Sequence, residues 1–232
     1  SALTSALGEK NANDNENDDD DGLLWIVDPI DGTTNFQSGL PLFCASVGVI
    51  SPITGEIVVG VIYNPMLEEM TYAIRGQGCY TNGKRIGGDD TKATIQLSEG
   101  LINVGFPAVK ESTLIVSSRA VRALATKVKG LRMIACASQV MAWVAQGKLS
   151  AYISWDLNSW DVCAGMLIVE EAGGYVSDMD GKRATVESRD LIVSCGGAGR
   201  PTEPIGGGDS EQALHAELLN VLVANDCVAY DP

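Results

Sequence analysis

One segment limits the possible folds more than any other. Residues 161–172 read as a helix whose body, Val162-Cys163-Ala164-Gly165-Met166-Leu167-Ile168-Val169, is apolar all round, and Gly173-Gly174 is its stop signal. A helix with no polar stripe has to be covered by neighbours, and the small residues Ala164 and Gly165 let those neighbours pack closely. Asp161 opens the helix, so its carboxylate is held at the helix mouth rather than on a solvated face. Taken alone, it reads better as a simple N-cap. Of Glu170 and Glu171 at the far end, one is expected to pair with a base.

The rest of the chain supplies candidate neighbours. Residues 23–27 form a short apolar run ending at Asp28-Pro29, the pattern of a strand entering a turn. Residues 43–50 and 57–63 are β-rich and joined by a Pro/Gly-containing turn at 51–56. Asn82-Gly83 within 79–86 is a type I′ hairpin signal. Helical spacing covers 112–128, 137–146 and 211–223, with strands at 149–153 and 191–194. Residues 200–209 form a Pro/Gly-rich connector. Strands and helices alternate in irregular groups without an internal repeat, so the class is mixed α/β or α+β.

Charge and cysteine usage narrow the function. The formal charge is −14, and residues 9–21 alone carry seven acids against the single base Lys10. That stretch reads as an acidic, low-complexity loop preceding a moderately acidic globular domain. So acidic a chain has no electrostatic footprint for nucleic acid or anionic lipid, and no apolar run approaches the ~18–20 residues that span a bilayer. No signal peptide is visible, so cytoplasmic placement is expected, with an organelle left open. The six cysteines are widely spaced without a CxxC pair, which favours buried reduced thiols over a disulfide framework. The one histidine, His215, makes a Cys/His zinc site unexpected and reads as a surface or interface residue.

The chemistry is concentrated in Trp25-Ile26-Val27-Asp28-Pro29-Ile30-Asp31-Gly32-Thr33-Thr34-Asn35-Phe36. An apolar strand delivers two carboxylates three residues apart, and Pro29 forces a turn so that both can converge beyond the strand end. Gly32 permits close backbone approach, and Thr33-Thr34 could begin a helix with free N–H groups. Two hard oxygen ligands beside such donors suit a divalent cation together with a phosphate, and the Ile30 carbonyl could be a further ligand. An Asx-turn with N-capping Asp and Thr is the plainer alternative.

With Trp160-Asp161-Val162-Cys163-Ala164-Gly165 following in order, this string resembles the inositol monophosphatase family, whose signatures are W-x-x-D-P-[IL]-D-G-T and W-D-x-x-[AG]-G. The resemblance runs from about Gly8 to the C-terminal helix. Thr34-Asn35-Phe36 resembles the inositol monophosphatase branch rather than the nucleotide phosphatase branch, and Tyr63-Asn64-Pro65 and Gly76-Gln77-Gly78 fit the family's hairpin region. The resemblance implies a layered αβαβα sandwich and a Mg²⁺-dependent, lithium-sensitive phosphomonoesterase, active as a homodimer on a small phosphorylated metabolite. Asp28, Asp31, Asp161 and the Ile30 carbonyl match metal ligands. Gly32, Thr33 and Thr34 match the phosphate-binding turn. Thr33, Asp31 and Glu9 match the groups that activate or hold the attacking water, with Glu9 also a metal ligand. Ala135-Cys136-Ala137 and Ser154 occupy the family's substrate-side positions, where a serine replaces a charged hydroxyl-binding glutamate.

The resemblance divides the chain at residue 22, with an N-terminal remnant over 1–22 and the phosphatase domain over 23–232. Only seven residues precede Gly8, where the family has two helices and an aspartate supporting the threonine. The remaining layers are therefore expected to expose apolar surface. Myo-inositol monophosphate is the first-choice substrate. Histidinol phosphate, a sugar bisphosphate, or a catalytically weak protein that only binds metal or phosphate are the alternatives.

Overall fold

The structure, a computed structural model, describes residues 22–87, 95–106, 110–196 and 213–228. Its first sheet is an antiparallel meander in chain order: β1 (Leu24–Asp31), β2 (Cys44–Ile50), β3 (Ile57–Asn64), β4 (Glu69–Ile74), β5 (Gly78–Thr81) and β6 (Lys84–Ile86). Local turn chemistry sets the connections. Asn82 and Gly83 take φ of 48° and 77°, the left-handed pair that a type I′ hairpin requires.

The second sheet has the order β10-β11-β9-β7-β8, from β7 (Leu101–Val104), β8 (Gly130–Arg132), β9 (Ala151–Ser154), β10 (Tyr175–Ser177) and β11 (Leu191–Ser194). Here β7 runs parallel to both β8 and β9, and the remaining pairs are antiparallel. The helices are α1 (Thr33–Gln37), α2 (Glu111–Leu124), α3 (Ala137–Ala145), α4 (Ser159–Glu171) and α5 (Ala213–Val223). Side by side, α3 and α4 lie between the sheets, while α2 and α5 meet the second sheet through β7 and β11. The described residues thus stack as sheet, helices, sheet, helices, in the mixed α+β class expected.

The apolar helix is α4, and its covering is now explicit: β1–β4 on one side, α3 beside it and β10 beyond. Gly48 and Gly60 are cross-strand partners under it. A Cβ on Gly60 would lie 2.6 Å from the Ala164 carbonyl oxygen, and one on Gly48 would collide with Cys163. On the other flank, a Cβ on Gly165 would lie 2.6 Å from the Met141 sulfur of α3. Small residues on both sides therefore bring the layers to backbone contact. At the C-terminal end of α4, Glu170 pairs with Arg75 and Arg183, and Glu171 accepts the Gly76 and Gly78 N–H groups, tying the helix to the hairpin region.

The opposite face of the six-stranded sheet carries Trp25, Val27, Tyr63, Met70 and Ile74, all more than a third exposed. The period-2 register places them on one side, and no described element lies across it. All six cysteines are free thiols, five of them buried.

His215 corrects an expectation. It is 1% exposed rather than at the surface, because α5 turns it onto β10 and β11. The Ser177 hydroxyl donates to the Asp178 carbonyl, so the His215 Nε2–H donates to Ser177 Oγ at 2.8 Å. Nδ1 then accepts from Ser194 Oγ at 2.8 Å. Both ring nitrogens are satisfied in the neutral form, and burial lowers the pKa to about 4.

Two outcomes follow from this packing. Gly60→Ala should overpack the α4 contact and lower unfolding free energy by about 1–3 kcal/mol, read from the urea midpoint; an unchanged midpoint would show that the layers have slack. For His215, the unfolded ring titrates near ~6.5, so its neutral form stabilises fully above that pH and loses its effect as pH falls through about 4. Between pH 7.5 and 4.5 the wild type should therefore lose more stability than His215→Gln, by roughly 2–3 kcal/mol. Parallel pH profiles would contradict the buried neutral ring.

Candidate functional site

β1 ends in a bulge. Asp28 pairs with Ser46 and Asp31 with Cys44, so three residue steps on β1 oppose two on β2. The sequence predicts a turn after Val27, yet pairing continues to Asp31. Pro29 is tolerated because, among the described residues, β1 is an edge strand with no ladder bond to lose on its outer side. Inside the bulge the Ile30 N–H donates to Asp28 Oδ1 at 3.0 Å.

Gly32 then turns the chain with φ 83° and ψ 36°. A side chain there would stand 2.7 Å from the Leu42 carbonyl oxygen and 3.1 Å from Cys136 Cβ, so only glycine fits. Helix α1 starts at Thr33, whose hydroxyl donates to the Ile30 carbonyl at 2.9 Å. Thr33 and Thr34 are exposed, and the N–H groups of this first turn have no acceptor within the helix.

Asp161 arrives from the other wall. α4 begins at Ser159 with Asn158 as N-cap, so Asp161 sits one turn inside rather than at the opening. It closes a capping box by accepting the Asn158 N–H on Oδ2 at 2.7 Å. Ser138 joins the two walls at the start of α3. Its N–H donates to Asp31 Oδ2 at 2.6 Å and its hydroxyl to the Asp161 carbonyl at 3.0 Å.

The outcome is a cluster in which Asp28, Asp31 and Asp161 each bring a carboxylate oxygen within 4.8 Å of the others. Burial raises the pKa of all three, and Asp31 reaches about 6 as the Asp161 and Asp28 charges add to its desolvation. Three partly desolvated like charges held together are costly without a cation. The donors are all carboxylate oxygens, with the Ile30 carbonyl adjacent, which suits a hard divalent ion such as Mg²⁺.

The loop carrying Ala135, Cys136 and Ala137 lies against the same Gly32 turn. Asn35 donates through Nδ2 to the carbonyls of Leu42, Ile134 and Ala135, clamping the α1 turn to the loop before α3. In that loop Ala135 takes φ 54°, and Cys136 and Ala137 are buried beside Gly32 and at the start of α3. Asn103 holds the loop by accepting the Ile134 N–H at 3.1 Å. Ser154 is 3% exposed at the end of β9 and bonds Tyr152, whose phenol is pushed up by burial and by the Asp31 and Asp161 charges. Glu9 lies outside the described residues.

Ser138, Asn35, Asn103 and Asn158 were not assigned from the sequence: the first three act on groups far away in the chain, and Asn158 caps a helix that the sequence opens at Asp161. Asn35 had one signal, its place directly after the aspartate-glycine-threonine string.

Comparison with known proteins agrees with this arrangement. Residues 3–218 match the model of the inositol monophosphatase family. An inositol-1-monophosphatase of Mesorhizobium japonicum is 37% identical over 172 residues, which are 73% of this chain and 62% of that protein. A fructose-1,6-bisphosphatase/inositol-1-monophosphatase of Thermotoga maritima is 35% identical over 75% of this chain and 63% of its own length. The chain thus spans less than two thirds of either relative. An inositol monophosphatase structure from Anabaena superposes with a TM-score of 0.74 at 29% identity, covering 88% of this chain and 75% of that one.

The electrostatics give a direct test. In the absence of divalent cations, Asp31→Asn should raise stability by about 1 kcal/mol or more, a melting shift of roughly 2–4 °C for a chain of this size. Mg²⁺ should raise the melting temperature of the wild type and not of the variant. A metal-free variant that melts below the wild type would contradict a strained carboxylate cluster.

Proposed function

Because the chain belongs to the inositol monophosphatase family, we propose that it is a Mg²⁺-dependent phosphomonoesterase acting on a small phosphorylated polyol, first of all myo-inositol monophosphate. The observation that carries this reading is the convergence of Asp28, Asp31 and Asp161 beside the Gly32–Thr34 turn.

Asp28, Asp31, Asp161 and the Ile30 carbonyl would hold the cations, with Glu9 a further ligand. Mg²⁺ bound there would offset phosphate charge, stabilise the leaving alkoxide and acidify a water. The chain's own groups do the positioning. The N–H groups of Gly32, Thr33 and Thr34 take phosphate oxygens. The Thr33 hydroxyl spends its proton on the Ile30 carbonyl, which leaves its lone pairs to hold a water proton and fix the line of attack on phosphorus. Asn35 and Ser138 keep the two walls in register through backbone bonds. No covalent nucleophile is required, in keeping with a single histidine that α5 buries against β10 and β11.

The substrate-side positions that the resemblance assigns, Ala135, Cys136, Ala137 and Ser154, carry no charge, which suits a neutral polyol better than a second anionic group. The Thermotoga relative's double name supports a sugar bisphosphate as the second reading. Lithium inhibition, a homodimer and cytoplasmic placement belong to the first.

Phosphate release measured on inositol 1-phosphate, histidinol phosphate, fructose 1,6-bisphosphate and the nucleotide phosphate PAP, with and without Mg²⁺, tests it. Turnover should require Mg²⁺, be highest on inositol 1-phosphate and fall about 100-fold or more in Asp161→Asn. Equal rates in the variant, or no Mg²⁺-dependent turnover on any substrate, would overturn the reading.

A further inference from the structure

Asp31 stands between two different sets of donors. On one side are the oxygens of Asp28 and Asp161; on the other is a pair of thiols that the proposed reaction does not use. Cys44 is the cross-strand partner of Asp31, so the register that follows the bulge turns both side chains to the same face. Cys136 comes from the loop before α3, packs against Gly32, and brings its sulfur to 3.5 Å from the Asp31 carbonyl oxygen. The two sulfurs are 3.6 Å apart, and Asp31, Cys44 and Cys136 each place a ligand atom within 4.8 Å of the others.

We propose that Cys44, Cys136 and Asp31 form a second cation site, selective for thiophilic divalent ions of the zinc class, that competes with the all-oxygen site for Asp31. The spacing supports it: two thiolates bound at ~2.3 Å around a tetrahedral ion stand roughly 3.8 Å apart, close to the separation already present. Donor chemistry separates the two sites, since sulfur selects zinc-class ions and carboxylate oxygen selects Mg²⁺. Three protein donors leave the fourth tetrahedral position to water.

Loading is a ligand exchange without oxidation. Each thiol S–H bond breaks as an S–metal bond forms, and the two protons pass to solvent. In the free protein the two thiols are buried and lie within hydrogen-bonding distance of each other. The ion reaches the pair past Asp28 and Asp161, which are partly exposed. Because Asp31 belongs to both donor sets, an ion drawn onto its carboxylate by the thiols weakens the hold of the oxygen cluster on its own ion. The resulting inhibition rests on the proposed phosphatase reading; the site itself does not.

Cd²⁺ titration of the reduced protein, followed by the thiolate-to-metal ultraviolet band, tests the site without an activity assay. The wild type should develop the band with one equivalent of Cd²⁺, and Cys195→Ser, which alters the most accessible cysteine, should keep it. The Cys44→Ser/Cys136→Ser double variant, shown folded by circular dichroism, should lose it. Asp31→Asn should bind Cd²⁺ about tenfold or more weakly with the band retained. A band that survives in the double variant, no band in the wild type, or unchanged affinity in Asp31→Asn would each overturn the proposal. If the band behaves as described but phosphate release is absent under all conditions, the phosphatase reading fails and the site stands.

Discussion

Helix α4 can lie against the six-stranded sheet only because the cross-strand pair Gly48 and Gly60 offers no side chains beneath it. That approach decides much else. It brings an apolar helix to backbone contact with β2 and β3, and Gly165 repeats the device against α3. It also carries Asp161, one turn inside the helix, to the end of β1 where Asp28 and Asp31 wait. A packing constraint in the middle of the molecule thus sets a distance at its rim.

What is assembled at that rim is electrostatically unfavourable by itself. Burial raises the pKa of all three carboxylates, repulsion adds to it at Asp31 and Asp161, and a single backbone N–H from Ser138 is the strongest opposing effect on Asp31. Such a cluster persists because the bulge, the left-handed Gly32 and the capping box at Asn158 hold it from three separate elements. The arrangement favours a cation over a proton only if those elements stay in place. Asn35, bonded to the carbonyls of Leu42, Ile134 and Ala135, is one of the ties that hold them.

How much of this could be read from the sequence depended on whether the information was local. The Asn82-Gly83 hairpin, β2, β3 and α3 came within a residue or two, because turn chemistry and apolar periodicity act over a few residues. So did α4, although its start at Ser159 was missed because Asn158 rather than Asp161 caps it. Four strands escaped notice: β4, and the three- or four-residue β7, β8 and β10, which owe their existence to partners elsewhere in the second sheet. His215 was misplaced for the same reason, since nothing adjacent in the chain signals that Ser177 and Ser194 will enclose it. At the site, the aspartates and the glycine turn were legible as a motif. The bulge that keeps β1 paired past Pro29, and the thiol pair beside Asp31, were not, because one follows from strand register and the other joins that register to a loop 92 residues further along the chain.

The central claim is that Asp28, Asp31 and Asp161 form one hard-cation site built by two layers of the fold. Diffraction from crystals soaked in Mn²⁺, collected at the manganese edge, addresses it most directly. The account predicts an anomalous peak within about 2–2.6 Å of carboxylate oxygens from all three aspartates. A peak elsewhere, or none at saturating Mn²⁺, would contradict it.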